Sequence, residues 1–158
     1  MARLPDLGPR GEGYVALQAA IVLVILATVP LGPAWTGPPR LVGAAVGLVL
    51  AAAGGWLLLR GIVDLRENLT PWPRPREVSR LVDSGAYRLV RHPIYGGQVV
   101  GALGLALIAA SPATILAALV LGVLFDVKSR REEAWLIERH HDYAAYRART
   151  RRLIPWLY

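Results

Sequence analysis

An arginine, a histidine and a proline occupy positions 91–93, directly before a long apolar stretch. Pro93 suits the first position of a helix, and its ring disfavours helical geometry at His92, so we predict that a helix begins there. The free amides of residues 94–96 would face the same aqueous corner as Arg91. Helix-start amides and a guanidinium group attract anions, so this corner predicts a site for a carboxylate or a phosphate.

A second polar group follows the last apolar stretch and contains Lys128, Glu132 and Glu133. Carboxylates accept hydrogen bonds from ammonium and hydroxyl groups, and adjacent helix positions point about 100° apart. We therefore expect one glutamate to face a ligand while the other orients or neutralises nearby arginines. The neighbouring His140 and His141 diverge in the same way, so we predict a solvated face and no metal site.

Long uncharged stretches must position these groups at a membrane surface. Residues 13–39 and 41–59 carry no formal charge, and each can cross a bilayer core of about 30 Å. A third stretch, residues 93–125, is too long for one span, and Ser111-Pro112 divides it. The sequence thus predicts an all-α integral membrane bundle, with a signal peptide as the alternative for the first segment. The four predicted transmembrane helices lie near residues 13–31, 40–62, 93–110 and 112–128.

Composition and charge support this membrane interpretation. The chain has 158 residues, enough for one domain over residues 1–158, with 54% hydrophobic residues and a mean hydropathy of +0.41. Seven of its 18 basic residues lie between positions 60 and 91 and eight from position 128 onward, so the positive-inside rule predicts cytoplasmic termini. The charge of +7 then favours contact with anionic membrane lipids and not with nucleic acid. The absence of cysteine excludes disulfides and thiolate chemistry.

The segments between and after these helices complete the predicted architecture. Residues 63–92 form a cytoplasmic loop whose proline-rich stretch, residues 68–76, argues against a long helix. Residues 130–149 are polar but keep apolar and aromatic positions, which predicts an amphipathic C-terminal helix. Small residues such as Gly43-xxx-Gly47 and Gly97-xxx-Gly101 predict close helix packing.

The order of these motifs resembles a known enzyme family. Gly85-x-Tyr87, residues 91–97, Glu132-Glu133 and Tyr143-x-x-Tyr146 ahead of Ile154-Pro155 resemble the isoprenylcysteine carboxyl methyltransferase family and the related phospholipid methyltransferases. The resemblance covers about residues 60–156. It implies an integral membrane enzyme of the bacterial inner membrane that uses S-adenosylmethionine to methylate a lipophilic small molecule or lipid at the cytoplasmic face. Carboxylate O-methylation is favoured, with phospholipid-type N-methylation as the alternative.

The resemblance also implies roles for individual residues. Arg91 and Lys128 would act at the reacting end, and Lys128 would contact the substrate together with Asn68. Lys128 stands where family members often carry an arginine, and a lysine keeps the charge but loses bidentate carboxylate geometry. The residues that would bind the cofactor are Tyr87, His92, Pro93, Tyr95, Gly96, Glu132, Glu133 and Tyr146.

Two further hypotheses compete with a methyltransferase. A nicotinamide-dependent membrane reductase would share a similar C-terminal pocket, but such enzymes have more helices than this chain can form. A non-catalytic membrane scaffold would use its charged loops only to set topology. The clustering of Arg91, His92, Glu132 and Glu133 beside helix ends on one membrane side argues against the scaffold.

Overall fold

The computed structural model describes residues 5–31, 33–75 and 80–158. These residues form helices and no strand, which confirms the all-α prediction. Arg76, which ends the predicted proline-rich stretch, lies outside the described residues. The helices are α1 (Glu12–Thr28), α2 (Gly37–Leu65), α3 (Pro93–Ala109), α4 (Pro112–Arg139) and α5 (Tyr143–Arg149). Short 3₁₀ turns occupy Val29–Leu31, Arg66–Asn68 and Gly85–Arg88.

Among the described helices, three segments are long and apolar enough to cross a membrane: Glu12–Leu31, Gly37–Asn68 and Pro112–Arg139. α3 is also apolar but has 17 residues, about 26 Å at 1.5 Å per residue. The predicted break between the last two membrane helices lies at Ser111. Its hydroxyl accepts a 3.2 Å hydrogen bond from the Thr114 amide and caps α4.

Three of the predicted helices have different bounds in the structure. α2 extends beyond residues 40–62 at both ends. α4 does not stop at residue 128 but continues to Arg139, because the polar residues after Lys128 include no glycine or proline that would end a helix. Hydropathy therefore marked where the membrane segment ends and not where the helix ends. One amphipathic helix is predicted over residues 130–149, but the structure has a break within it. α4 ends at Arg139 and α5 begins at Tyr143, so residues 140–142 interrupt the helix.

α2 and α3 pack closely through glycines. A Cβ atom on Gly97 would lie 2.5 Å from the Leu58 amide nitrogen, and one on Gly104 would lie 2.5 Å from that of Ala51. Gly54 of α2 likewise has no room for a side chain against Gly101. Close packing of small residues was predicted, and these contacts bring the start of α3 against the end of α2.

The remaining contacts arrange the bundle around the start of α3. α1 packs on α4, α4 on α3 and α3 on α2. After α5 the chain returns to the residues before Pro93, where the Arg91 amide donates to the Arg151 carbonyl (2.8 Å) and the His92 amide donates to the Arg152 carbonyl (3.0 Å). The C-terminal segment thereby completes the end of the bundle at which α1 and α3 begin and α2 and α4 end.

Candidate functional site

A cavity of about 320 Å³ opens at this end of the bundle. Its volume falls in the range of roughly 300–1,000 Å³ that is typical of ligand sites. Its walls come from α1, α3, α4, α5 and the segment that follows α2. Most of the predicted site residues line it, namely Asn68, Tyr87, Arg91, His92, Tyr95, Lys128, Glu132 and Tyr146.

Pro93 and Gly96 lie outside the cavity lining, and this corrects their predicted place in it. Pro93 packs against Gly61 of α2, and the Leu153 carbonyl occupies the space beside Gly96. The Gly96 amide donates a 3.0 Å hydrogen bond to the His92 carbonyl, so it is not free for an anion. These two residues shape the helix start and allow the C-terminal segment to approach it.

The two adjacent glutamates point in different directions. Glu133 is 3% exposed and accepts a 2.8 Å hydrogen bond from Nε of Arg91, while Nε of Arg152 lies 3.3 Å from the same oxygen. Arg91 also donates to the backbone carbonyls of Arg147 and Thr150. Glu133 and Arg91 therefore form a buried ion pair that ties α4 to the C-terminal segment, and Glu133 does not line the cavity.

Glu132 faces the cavity instead. Its Oε2 accepts a 2.8 Å hydrogen bond from the Tyr95 hydroxyl and lies 3.8 Å from Nδ1 of His92. The His92 and Tyr95 rings stack at 5.4 Å, and the Tyr95 and Phe125 rings at 4.7 Å. The carboxylate is thus held at the end of a rigid aromatic stack, with lone pairs left for a ligand.

Three buried polar atoms on the cavity wall have no hydrogen-bond partner within the described part of the chain: Nε2 of His92, Nε2 of His140 and the Tyr143 hydroxyl. Nε2 of His92 is 3.4 Å from Glu133 Oε1, an ion-pair distance without hydrogen-bond geometry. Burial, followed by the charge of Arg139, lowers the pKa of His140, so its ring is neutral at pH 7. Buried polar groups normally have partners, so these three atoms are unusual, although none of them is exposed to the cavity in this conformation.

Tyr87 and Tyr146 form a fixed wall of the cavity. The Tyr146 hydroxyl donates a 2.7 Å hydrogen bond to the Tyr87 carbonyl, and the Tyr146 ring meets the Tyr143 ring edge-on at 5.8 Å. Burial raises the pKa of all three tyrosine hydroxyls above its usual value, so they stay protonated near neutral pH. They are therefore hydrogen-bond donors and not bases.

Lys128 is the cation that faces the cavity from α4. It is 3% exposed, and its Nζ lies 4.7 Å from the centre of the Tyr95 ring and 5.6 Å from that of Phe125. Nζ donates a 2.6 Å hydrogen bond to Oε1 of Gln18, whose Nε2 donates to Oε1 of Gln98 at 3.1 Å. The ammonium group is thus held by a neutral amide and by aromatic faces.

Asn68 lines the cavity and also binds the backbone of Arg80. Its Nδ2 donates a 2.9 Å hydrogen bond to the Arg80 carbonyl, and its Oδ1 accepts a 3.4 Å hydrogen bond from the Arg80 amide. Each end of the amide makes one hydrogen bond, so Asn68 holds the two arms of the segment between α2 and α3 together. One N–H and one lone pair of its amide remain for a ligand in the cavity.

Comparison with known proteins identifies the family of this chain. A family model described as "Phospholipid methyltransferase" matches residues 42–142, more than half of the chain. The chain belongs to the phospholipid methyltransferase family. The description of this family names a methyltransferase.

One relative, from Cupriavidus metallidurans, is named cobalt-zinc-cadmium resistance protein CzcN. It is 29% identical over 150 residues, a match that covers 90% of this chain and 64% of the relative. The chain described here thus spans less than two thirds of the length of that relative. Within the described residues there is no group of three or more histidine, cysteine, aspartate or glutamate side chains that could hold a metal ion.

The sequence analysis did not predict several residues that line the cavity. Among them are Gln18, Gln98, His140 and Tyr143. The glutamines could have been found, because they are the only two in the chain and each interrupts an apolar membrane helix. His140 and Tyr143 lie beyond the break between α4 and α5. Their position depends on how the chain folds back there, and no local pattern encodes that.

Proposed function

We propose that this protein transfers a methyl group from S-adenosylmethionine to the carboxylate of a lipophilic acid. Family membership supports the methyltransferase class. The observation that carries the choice of acceptor is Lys128, a buried cation on the cavity wall that is held by the neutral amide of Gln18. Among the described residues no carboxylate lies within ion-pair distance of this ammonium group, although the charge of Glu132 acts on it from one helical turn away, and a buried cation in this position favours a ligand of opposite charge.

The polar atoms of the cavity fit the proposed cofactor. Glu132 would accept hydrogen bonds from its ammonium or ribose hydroxyl groups, and Tyr143 would donate to one of its acceptors. His92 and Tyr95 would offer aromatic faces and, at Nε2 of His92, an unpaired polar atom. When bound, the cofactor supplies a sulfonium methyl group; an acceptor oxygen forms the new bond to carbon, the sulfur–methyl bond breaks, and the sulfur keeps the electron pair.

The side chains around Lys128 have a simple chemical task. A carboxylate is already a nucleophile, so it needs no general base, and the protein has to align it and exclude water. Lys128 would draw the acidic headgroup to the aromatic stack of Tyr95 and Phe125, which keeps this part of the cavity dry. The lipophilic part of the acceptor would remain among the apolar helices and the surrounding lipid.

N-methylation of a phospholipid amine is the second candidate, and the description of the family favours it. An amine would have to lose its proton before it could attack the methyl group. It would also have to approach Lys128, whose positive charge repels a protonated amine. The charge at the Lys128 end of the cavity therefore favours the acid, and Glu132 is assigned to the cofactor.

We place the cavity at the cytoplasmic face of a bacterial inner membrane. The basic residues concentrate in the segments that surround it, and the positive-inside rule assigns such segments to the cytoplasm. Reporter fusions to residues near 10 and near 158 test this orientation, and a periplasmic signal from either fusion would contradict it.

The first test is calorimetric binding of S-adenosylmethionine, its demethylated product and NADPH to the purified protein in detergent. We expect saturable binding of the first two only. Transfer of a labelled methyl group is then compared between dodecanoic acid and phosphatidylethanolamine. Lys128→Met should lower turnover of the acid more than cofactor affinity, while Arg40→Met, at the opposite end of the bundle, should change neither. Methylation of the amine lipid alone would refute the choice of acceptor.

A further inference from the structure

The only lysine of the chain and its only two glutamines meet at the cavity wall, although they come from three different helices. Gln18 lies on α1, Gln98 on α3 and Lys128 on α4. All three side chains line the cavity. Polar side chains inside membrane helices are costly, so their convergence at one point indicates a functional role.

The direction of the hydrogen bonds in this group follows from its chemistry. A lysine ammonium group can only donate, so the oxygen of the Gln18 amide must face Lys128. The nitrogen of the same amide must then face the other way, toward the oxygen of Gln98. This order leaves Nε2 of Gln98 as a donor, and no acceptor is paired with it within the described part of the chain.

No internal carboxylate takes the ammonium group. Among the described residues, no carboxylate oxygen forms an ion pair with Lys128 within 4.0 Å. Glu132, one turn along α4, also lines the cavity and acts on the ammonium group through its charge, but its Oε2 accepts the hydrogen bond from the Tyr95 hydroxyl. The group therefore offers the cavity an ammonium donor from α4 and an amide donor from α3, which are joined through the Gln18 amide.

We propose that Lys128 and Gln98 together form a two-donor clamp for the carboxylate of the acceptor, and that Gln18 is a positioning residue that fixes the direction of both donors. The proposal rests on the proposed function and deepens it, because it names the residues that select an acid. A carboxylate has two oxygens with about four lone-pair positions, so two donors leave lone pairs for attack on the methyl group. A primary ammonium headgroup offers only donors and cannot satisfy either one.

The single lysine provides a direct probe of this clamp. Protein grown with ¹³C-ε-lysine has one labelled side chain, so its NMR signal reports binding at Lys128 even in detergent micelles. We expect dodecanoate to shift this signal saturably, and dodecanol and dodecylamine to leave it unchanged. An equal response to dodecanol would overturn recognition of the anion.

Variants at the glutamines test the clamp and the orienting residue. Gln98→Leu should weaken dodecanoate binding by about tenfold to a hundredfold, which is the range for a lost hydrogen bond to a charged group. Gln98→Glu, of nearly the same shape, should abolish dodecanoate binding and create binding of dodecylamine, whereas Gln18→Glu, whose carboxylate pairs with Lys128, should abolish dodecanoate binding without creating binding of dodecylamine. A role in folding alone would not invert this selectivity. Unchanged dodecanoate affinity in Gln98→Leu would overturn the proposal.

The same samples separate this inference from the proposed function. Dodecanoate binding that depends on Gln98, without any binding of S-adenosylmethionine, would support the clamp and refute the methyltransferase mechanism. Binding of the cofactor with no response of the Lys128 signal to dodecanoate would do the reverse. Arg40→Met is the matched control, since it removes a cation far from the cavity and should leave both titrations unchanged.

Discussion

The Tyr95 hydroxyl donates a 2.8 Å hydrogen bond to Oε2 of Glu132 and so joins the first turn of α3 to the polar end of α4. The two residues lie far apart in the sequence, and each is held by other contacts. Tyr95 is stacked between His92 and Phe125, and Glu132 is fixed by its helix. The carboxylate is therefore oriented before any ligand arrives.

Loss of this bond should weaken cofactor binding without unfolding the bundle. Tyr95→Phe keeps the ring stack and removes one hydrogen bond, which corresponds to about 0.5–1.5 kcal/mol, or up to about tenfold in affinity. Glu132→Ala should have a larger effect, because it also removes the acceptor for the ligand. Calorimetry with S-adenosylmethionine measures both variants. Glu138→Gln, on the exposed end of the same helix, is the control and should bind like wild type.

Glu133, in contrast, should matter for stability. Glu133→Gln leaves the buried guanidinium of Arg91 without its ion-pair partner, which costs about 3–5 kcal/mol. We expect a clearly lower thermal midpoint in detergent, with Glu132→Gln much closer to wild type. Equal midpoints for the two variants would contradict the separate roles of the adjacent glutamates.

The glycine contacts between α2 and α3 provide a matched pair of substitutions. Gly54→Ala would force a methyl group into the backbone of Gly101, and overpacking of this kind costs about 1–3 kcal/mol. Gly55→Ala points into open space, so it should be neutral or, through better helix propensity, stabilising. Thermal unfolding of both proteins tests this, and similar loss in Gly55→Ala would show that helix contacts are not the cause.

The hydroxyl groups of Tyr143 and Tyr146, both on α5, should differ in how much they contribute to stability. Tyr146→Phe leaves the buried Tyr87 carbonyl without its donor, a loss of about 1–3 kcal/mol. Tyr143→Phe removes a hydroxyl that has no partner within the described residues, so stability should hardly change. The Tyr143→Phe substitution should lower the affinity for the cofactor instead. A large drop in stability for Tyr143→Phe would count against that assignment.

Alkaline pH should destabilise the protein through these buried hydroxyls. Burial raises the pKa of Tyr87, Tyr143 and Tyr146, so the folded state favours the protonated form. The stability that these protonated hydroxyls contribute is fully present below the unfolded pKa of about 10, and it is lost as the pH rises above that value. Unfolding midpoints measured from about pH 9 to 11.5 should fall, and fall less steeply in a Tyr143→Phe/Tyr146→Phe double variant. Equal falls of the midpoint with pH in wild type and the double variant would show that these hydroxyls are not the cause.

Much of the fold follows from local signals in the sequence. Uncharged stretches locate the membrane helices, because burying charge in a bilayer is costly, and Pro93 and Pro112 mark two helix starts. The separate directions of Glu132 and Glu133 follow from helix geometry alone. These features depend only on neighbouring residues, and sequence reasoning is strongest for them.

Contacts between distant segments could not be predicted in the same way. Nothing in the local sequence indicates that the Leu153 carbonyl lies against Gly96, or that Asn68 binds the backbone of Arg80. The prediction that Gly96 offers a free amide was wrong because the first turn of α3 uses it internally. Gln18, a polar residue inside an apolar helix, was a readable signal of the cavity that the sequence prediction did not use.

The pairing of Arg91 and His92 with the carbonyls of residues 151 and 152 has a consequence for biosynthesis. Translation runs from the N-terminus, so α1 to α4 enter the bilayer before those carbonyls have left the ribosome. The bundle inserts first, and the binding site is assembled last. A polypeptide interrupted between residues 140 and 150 would thus keep the Arg91–Glu133 ion pair but lack the carbonyls that the Arg91 and His92 amides use, so it would be a membrane-embedded product without a finished site.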